Sequence, residues 1–209
     1  MYVLYSLPRS RGTRVVWTLE EIGAEYEYRN ASPRDELVLE MNPMRKLPVL
    51  VDEDFVLTES AAICTYLADQ HPECGLAPAA ATRERARFDA WNFFLMTEID
   101  QPLWNYSKNS YLYPEKVRVP EVLGACRNEF RRAEKALAAM LGDNEFLMGD
   151  QFMIPDIVCG HCLAWAKNIE FELKEANVIA YADRVTSRRP LKKTWLHEAR
   201  VTENAKNKV

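Results

Sequence analysis

KLPVLV at residues 46–51 and LTESAAI at residues 57–63 are the part of this chain that decides the fold. DED at residues 52–54 predicts a turn between two short strands, and a helix is expected from Ser60 onward. Because Pro48 opens a strand and follows the bulky Leu47, we expect a cis peptide bond between them. Such a bond would turn the N–H and C=O groups of Leu47 outward, where an extended peptide could pair with them.

Thr58, Glu59 and Ser60 stand at the predicted start of that helix. Backbone N–H groups are unpaired there and the helix dipole favours an anion. Ser60 can bind a carboxylate through its hydroxyl and its N–H, and Glu59 offers a negative charge to an amine. Together they suit the head group of an α-amino acid. The alternative is that Thr58 and Ser60 only cap the helix.

Strand and helix signals alternate over the first seventy residues in the order βαβα–ββα, which predicts an α/β domain with a mixed sheet. HPECGLAP at residues 71–78 is a break rich in turn-forming residues. Beyond it the periodicity is helical throughout, and Pro102 is expected to kink one long helix. The predicted domains are therefore residues 1–72 (α/β) and residues 80–209 (all-α).

Composition narrows the classes of function. The 209 residues carry a net charge of −4, which argues against nucleic acid as a partner. No apolar run approaches the length of about 18 residues that a membrane-spanning helix needs. The first residues read as a strand and not as an export signal. Five cysteines without a framework spacing suit a reducing compartment, so a cytoplasmic location is expected.

Three motifs in the right order resemble the glutathione S-transferase superfamily. The pair KLPVLV (46–51) and LTESAAI (57–63) looks like its glutathione-binding signature. SRGTRVVWTLEE at residues 10–21 resembles its first helix. FLMGDQF (146–152), followed by PDI (155–157), resembles the start of its central second-domain helix. The resemblance extends from residue 2 to about residue 170.

The resemblance implies a thioredoxin-like domain followed by an all-helical bundle, and usually a homodimer. It implies that the backbone of Leu47 holds the cysteinyl unit of glutathione, with Pro48 cis. Glu59 and Ser60 would hold the γ-glutamyl head, and Lys46 would help to neutralise the carboxylates. Arg45 stands where members of the superfamily frequently have a glycine. The resemblance therefore does not determine the backbone conformation of that loop.

The activating group must stabilise glutathione as a thiolate, because a free thiol with a pKa near 8.5 is mostly protonated at neutral pH. A hydroxyl at a helix N-terminus can do so through one charge-assisted hydrogen bond and the dipole. Ser10 follows the first strand and matches the catalytic serine of serine-type, bacterial-like members of the superfamily. Tyr5, at the end of the strand, is the rival donor, and Thr13 is a third. We favour Ser10.

An apolar, aromatic pocket for a second, hydrophobic electrophile is expected in the helical domain. Its candidate residues are Phe93, Met96, Trp104, Tyr111 and Trp165. The preferred function is conjugation of glutathione, a co-substrate, to that electrophile. A glutathione-dependent disulfide reductase or peroxidase and a non-enzymatic protein-binding scaffold are the alternatives.

CGHC at residues 159–162 has the letters of a redox motif, but that chemistry needs a helix N-terminus directly after a strand. Here the run lies inside a predicted helix. We therefore expect packing residues there, and no metal site.

Overall fold

A computed structural model describes residues 1–207, and it divides into two compact units. The first unit comprises Met1–Ala77 together with the C-terminal segment that begins at Ser187, and the second is Pro78–Thr186. The strands are β1 (Tyr2–Ser6), β2 (Tyr26–Asn30), β3 (Val49–Asp52) and β4 (Phe55–Thr58). The helices are α1 (Gly12–Ile22), α2 (Glu36–Met41), α3 (Ser60–Gln70), α4 (Arg83–Phe94), α5 (Gln101–Ser107), α6 (Val122–Leu141), α7 (Ile154–Asn168), α8 (Ala176–Thr186) and α9 (Arg189–Lys206).

The first unit contains a four-stranded sheet in the order β2-β1-β3-β4. β1 pairs parallel with β2 and antiparallel with β3, and β3 pairs antiparallel with β4. This thioredoxin-like arrangement confirms the predicted order βαβα–ββα and the mixed sheet. Alternation along β1 sends Tyr5 into a small core with Ala31, Val38 and Val49 on the α2 side. Leu4, fully buried, belongs to the opposite face.

α9 packs against α1 within the first unit. Its buried side chains, Leu191, Thr194 and Glu198, recur at the spacing of one helical face. The Arg188 guanidinium makes two hydrogen bonds of 2.7 Å to the carboxylate of Glu21 in α1. The sequence assigned residues 80–209 to the helical domain, whereas the structure groups α9 with the sheet. Residues 208 and 209 lie outside the described part.

The second unit is helical in the described residues, as predicted, but its first long helix is interrupted. α4 passes into α5 through a π-helical turn at Leu95–Asp100. Pro102 follows closely, and a proline ring crowds the carbonyl four residues earlier, which here is that of Glu98. A π-helical turn therefore lies just before the proline at which the sequence predicted a kink.

Asp156 organises the start of α7 from a fully buried position. Its Oδ1 accepts the N–H of Leu147 at 2.9 Å and the hydroxyl of Tyr181 at 2.7 Å. Its Oδ2 accepts the N–H of Met153, the residue before the helix, at 2.9 Å. One carboxylate therefore satisfies three buried donors, two backbone N–H groups from the segment before α7 and one hydroxyl group from α8.

Replacement of Asp156 with alanine is expected to destabilise the protein by about 2–4 kcal/mol, because it leaves three buried donors unpaired. The measurement is urea unfolding followed by circular dichroism. Asp143→Ala, at an exposed aspartate in the preceding turn, is the control and should change stability by less than about 0.5 kcal/mol. Equal losses in the two variants would contradict this assignment.

Candidate functional site

The register of the sheet brings the predicted site elements to one edge. Tyr5 of β1 lies opposite Val49 of β3, and Val49 lies opposite Thr58 of β4. The end of β1, the start of β3 and the end of β4 are therefore neighbours. The loop into α1, the Leu47–Pro48 bond and the first turn of α3 all leave the sheet from this edge.

The peptide bond between Leu47 and Pro48 is cis, as predicted. Leu47 precedes β3 and lies outside the β1–β3 register, so its amide and carbonyl take no part in that ladder. The side chain of Leu47 packs against the core on the α2 side. The backbone of Leu47 is thus placed at the site while its side chain contributes to folding.

The loop before Leu47 is organised by Asn42, which sequence reasoning missed. The Asn42 amide donates to the carbonyl of Lys46 at 2.9 Å, and its Oδ1 accepts the N–H of Met44 at 3.0 Å. Arg45 adopts a φ of 52°, the left-handed conformation in which glycine is favoured. Arg45 therefore keeps the backbone shape that a glycine would take, and the Lys46 side chain is exposed.

Glu59 and Ser60 differ in exposure and in environment. Glu59 is exposed with a φ of 68°, while Ser60, the first residue of α3, is 2% exposed. Within residues 1–207, no side-chain hydrogen bond caps α3, so the alternative of simple capping by Thr58 and Ser60 is not realised. A non-glycine residue at positive φ beside an uncapped helix start is typical of a functional site.

Arg14 is a second residue that the sequence reasoning missed. Its side chain is fully buried, and its Nη1 donates to the hydroxyl of Ser60 at 3.2 Å. A buried guanidinium next to the start of α3 adds positive charge where the helix dipole already favours an anion. The available signal was an arginine among the apolar residues of the first helix.

Ser10 lies half-buried in the loop between β1 and α1. Its hydroxyl donates to the carbonyl of Leu7 at 2.7 Å and accepts the N–H of Gly12 at 3.1 Å. The Ser10 carbonyl accepts the N–H of Thr13 at 3.1 Å. Ser10, which precedes the N-cap residue Arg11, therefore accepts two N–H groups from the first turn of α1, and a rotation about its C–O bond would redirect the hydroxyl proton.

The two rival donors make other hydrogen bonds. The Tyr5 hydroxyl accepts from Arg29 Nη1 at 2.8 Å, and the Arg29 guanidinium carbon lies 5.4 Å from the centre of the Tyr5 ring. The Thr13 hydroxyl donates to Glu198 Oε1 at 2.7 Å. Both contacts lie within the first unit, and each gives the hydroxyl group a protein partner.

The proposed second-substrate residues are dispersed over five elements of the second unit. Phe93 and Tyr111 are 71% and 51% exposed, and the other three, Met96, Trp104 and Trp165, are partly buried. The ammonium group of Lys108 lies 5.6 Å from the centre of the Trp104 ring. Two concave surfaces of about 500 Å³ and about 530 Å³ in this unit are lined by other residues. The pocket therefore stays a prediction.

The five cysteines form no disulfide. Burial raises the pKa of the Cys64 thiol to about 11, with smaller opposing effects from Thr18 and Arg14. Cys159 and Cys162 are fully buried inside α7, where the sequence analysis expected packing residues. Across the described chain no cluster of His, Cys, Asp and Glu could hold a metal ion. In residues 1–207, no helix is long and apolar enough to cross a membrane.

The sequence of this chain is similar to those of known glutathione S-transferases. The family model for the glutathione S-transferase N-terminal domain matches residues 4–75. A glutathione S-transferase of Triticum aestivum is 30% identical over 154 residues, which cover 72% of this chain and 69% of that protein.

Two solved structures have the same fold. A glutathione transferase of Methylococcus capsulatus superposes with a TM-score of 0.85 at 26% identity, covering 95% of this chain and 99% of that one. A sphingomonad glutathione S-transferase complexed with glutathione has a TM-score of 0.83 at 25% identity, with 94% and 98% covered. With the signature residues assembled at one sheet edge, this chain belongs to the glutathione S-transferase family.

Proposed function

We propose that this protein binds glutathione, stabilises its thiolate and conjugates it to a hydrophobic electrophile. The observation that carries the proposal is the start of α3, where buried Ser60 faces Arg14 and no side chain of the described residues caps the helix. A carboxylate bound there would meet the Ser60 hydroxyl, the free N–H groups of the first turn and the helix dipole. The glutathione complex of the sphingomonad relative supports the choice of ligand.

Glutathione would extend from α3 toward the end of β1. Its γ-glutamyl carboxylate would lie at Ser60 and its ammonium group at exposed Glu59. Its cysteinyl unit would pair with the backbone of Leu47, beside the cis Pro48. Lys46, whose side chain is exposed, would neutralise a carboxylate at the outer end. The roles follow the register, since the three elements leave the same edge of the sheet.

Ser10 would activate the thiol. In the structure its hydroxyl proton points to the Leu7 carbonyl, so activation requires that the proton turn toward the sulfur. The Gly12 N–H would still donate to Ser10 Oγ, which polarises the hydroxyl and strengthens it as a donor. Each unit by which the thiol pKa falls represents about 1.36 kcal/mol of preference for the thiolate.

The electrophile would bind among the apolar side chains of the helical unit, the protein would act as a homodimer, and it would work in the cytoplasm. Attack of the same thiolate on a disulfide or a peroxide is the nearest alternative, and assays with a mixed disulfide, a peroxide and aryl halides distinguish the three reactions. A protein-binding scaffold would show no affinity for glutathione.

Glu59→Ala and Ser60→Ala should each weaken glutathione binding by roughly 1–3 kcal/mol, because each removes a charge-assisted partner. Isothermal titration calorimetry measures the effect. Glu53→Ala is a matched control, since Glu53 is also exposed and has a φ of 55° but lies in the β3–β4 turn. Unchanged affinity in both site variants would place the ligand elsewhere.

Ser10→Ala should raise the pKa of bound glutathione by about one to two units and leave its affinity nearly unchanged. Turnover at neutral pH should fall about ten- to a hundredfold and recover in part as the pH rises. Thiolate absorbance against pH reports the pKa. Tyr5→Phe, which removes the acceptor for Arg29, is the control and should leave the pKa in place. A shift in Tyr5→Phe alone would make Tyr5 the donor.

A further inference from the structure

The backbone of the loop that carries Ser10 is sterically constrained at two residues, Arg9 and Gly12. Gly12 opens α1 against the end of β1, where a Cβ atom on Gly12 would lie 1.7 Å from Ser6 Oγ. Within the loop, Arg9 has a φ of 58°, a conformation that a non-glycine residue keeps only when its surroundings impose it. Contacts at the first turn of α1 therefore decide where the Ser10 hydroxyl lies.

One of those contacts comes from the far end of the chain. Glu198 of α9 is 2% exposed, and its Oε1 accepts the Thr13 hydroxyl at 2.7 Å. Thr13 is itself 4% exposed, and its N–H bonds the Ser10 carbonyl at 3.1 Å. Two consecutive hydrogen bonds thus connect the Glu198 carboxylate to the backbone of Ser10.

The surroundings of Glu198 make this carboxylate costly to bury. Its second oxygen, Oε2, has no hydrogen-bond partner in the described residues, and the same holds for the Tyr28 hydroxyl and His197 Nε2. Burial raises the pKa of Glu198, while the Thr13 hydroxyl and the backbone N–H and guanidinium of Arg9 lower it. A buried carboxylate with one unpaired oxygen weakens the fold, so stability alone does not account for a glutamate here.

We propose that Glu198 is a positioning residue for thiol activation, which holds Thr13 and through it the loop that carries Ser10. This inference rests on the proposed function, because it assigns Glu198 to the reaction only through Ser10. A charge-assisted hydrogen bond from Ser10 to the sulfur requires a donor–acceptor distance of about 2.5–3.0 Å. Loss of the Thr13–Glu198 bond frees the first turn of α1 and weakens that alignment.

The test compares bound-glutathione thiol pKa values in Thr13→Val and the wild-type protein, both as full chains. Thr13→Val removes the hydroxyl with little change in volume, and it should raise the thiol pKa by about half a unit to one unit. The kcat at neutral pH should fall about three- to tenfold, while the Kd of glutathione changes less than about twofold, since Leu47, Glu59 and Ser60 are untouched.

Thr18→Val is the matched control on the same helix. Thr18 is also fully buried, but its hydroxyl donates to the Arg14 carbonyl of its own helix at 2.9 Å. It should leave the thiol pKa unchanged. Thr13→Ser keeps a hydroxyl and should restore the wild-type value, and Glu198→Gln, which keeps an acceptor for Thr13, should shift the pKa less than Glu198→Ala.

A double-mutant cycle separates positioning from general destabilisation. If Thr13 acts through Ser10, Thr13→Val should not raise the thiol pKa further in a Ser10→Ala background. A shift of equal size in both backgrounds, or no shift from Thr13→Val in the wild-type background, overturns the inference. Wild-type protein that binds glutathione without lowering its thiol pKa overturns the proposed function and this inference together. If Thr13→Val does not fold, the thiol pKa of bound glutathione is compared in Glu198→Gln and Glu198→Ala instead. Equal pKa values in these two variants overturn the inference.

Discussion

The antiparallel pairing of β1 with β3 is the constraint on which the site depends. Tyr5 opposite Val49, and Val49 opposite Thr58, set three chain segments from distant parts of the sequence side by side. A shift of one residue in either pairing would turn core side chains such as Leu4 and Leu50 to the other face of the sheet. Since both are fully buried, the hydrophobic core enforces the register, and the register places the site.

Two buried charged side chains lie near the same edge of the sheet. The guanidinium of Arg14 lies under the start of α3, and the carboxylate of Glu198 lies under the start of α1. Each is almost fully buried and each contacts a hydroxyl group at the first turn of a helix. Fixed charges in such positions cost folding free energy, but they orient dipoles and hydroxyl groups that loops alone would leave mobile. The C-terminal helix α9 thus contributes one of these two buried charges to the unit that contains the sheet.

Local chemistry made several features predictable. The cis bond at Pro48, the turn at residues 52–54 and the helix start at Ser60 depend on neighbours within a few residues. The same is true of the order of strands and helices, which follows from periodicity and breakers. Asn42 and the π-helical turn before Pro102 were missed, because an Asn–loop bond and a widened helical turn have weak sequence signals.

By itself, the sequence determined the fold class, the family resemblance and the residues of the glutathione signature, because these depend on local pattern and spacing. Tertiary structure alone decided which hydroxyl groups form hydrogen bonds and which residues are their partners. Arg29 binds the Tyr5 hydroxyl from the neighbouring strand, and Glu198 binds the Thr13 hydroxyl from a helix 185 residues further along the chain. Arg14 reached Ser60 in the same way, across the packing of α1 on α3. Such contacts join residues whose separation in sequence carries no signal, so only the packing of helices on the sheet could bring them together.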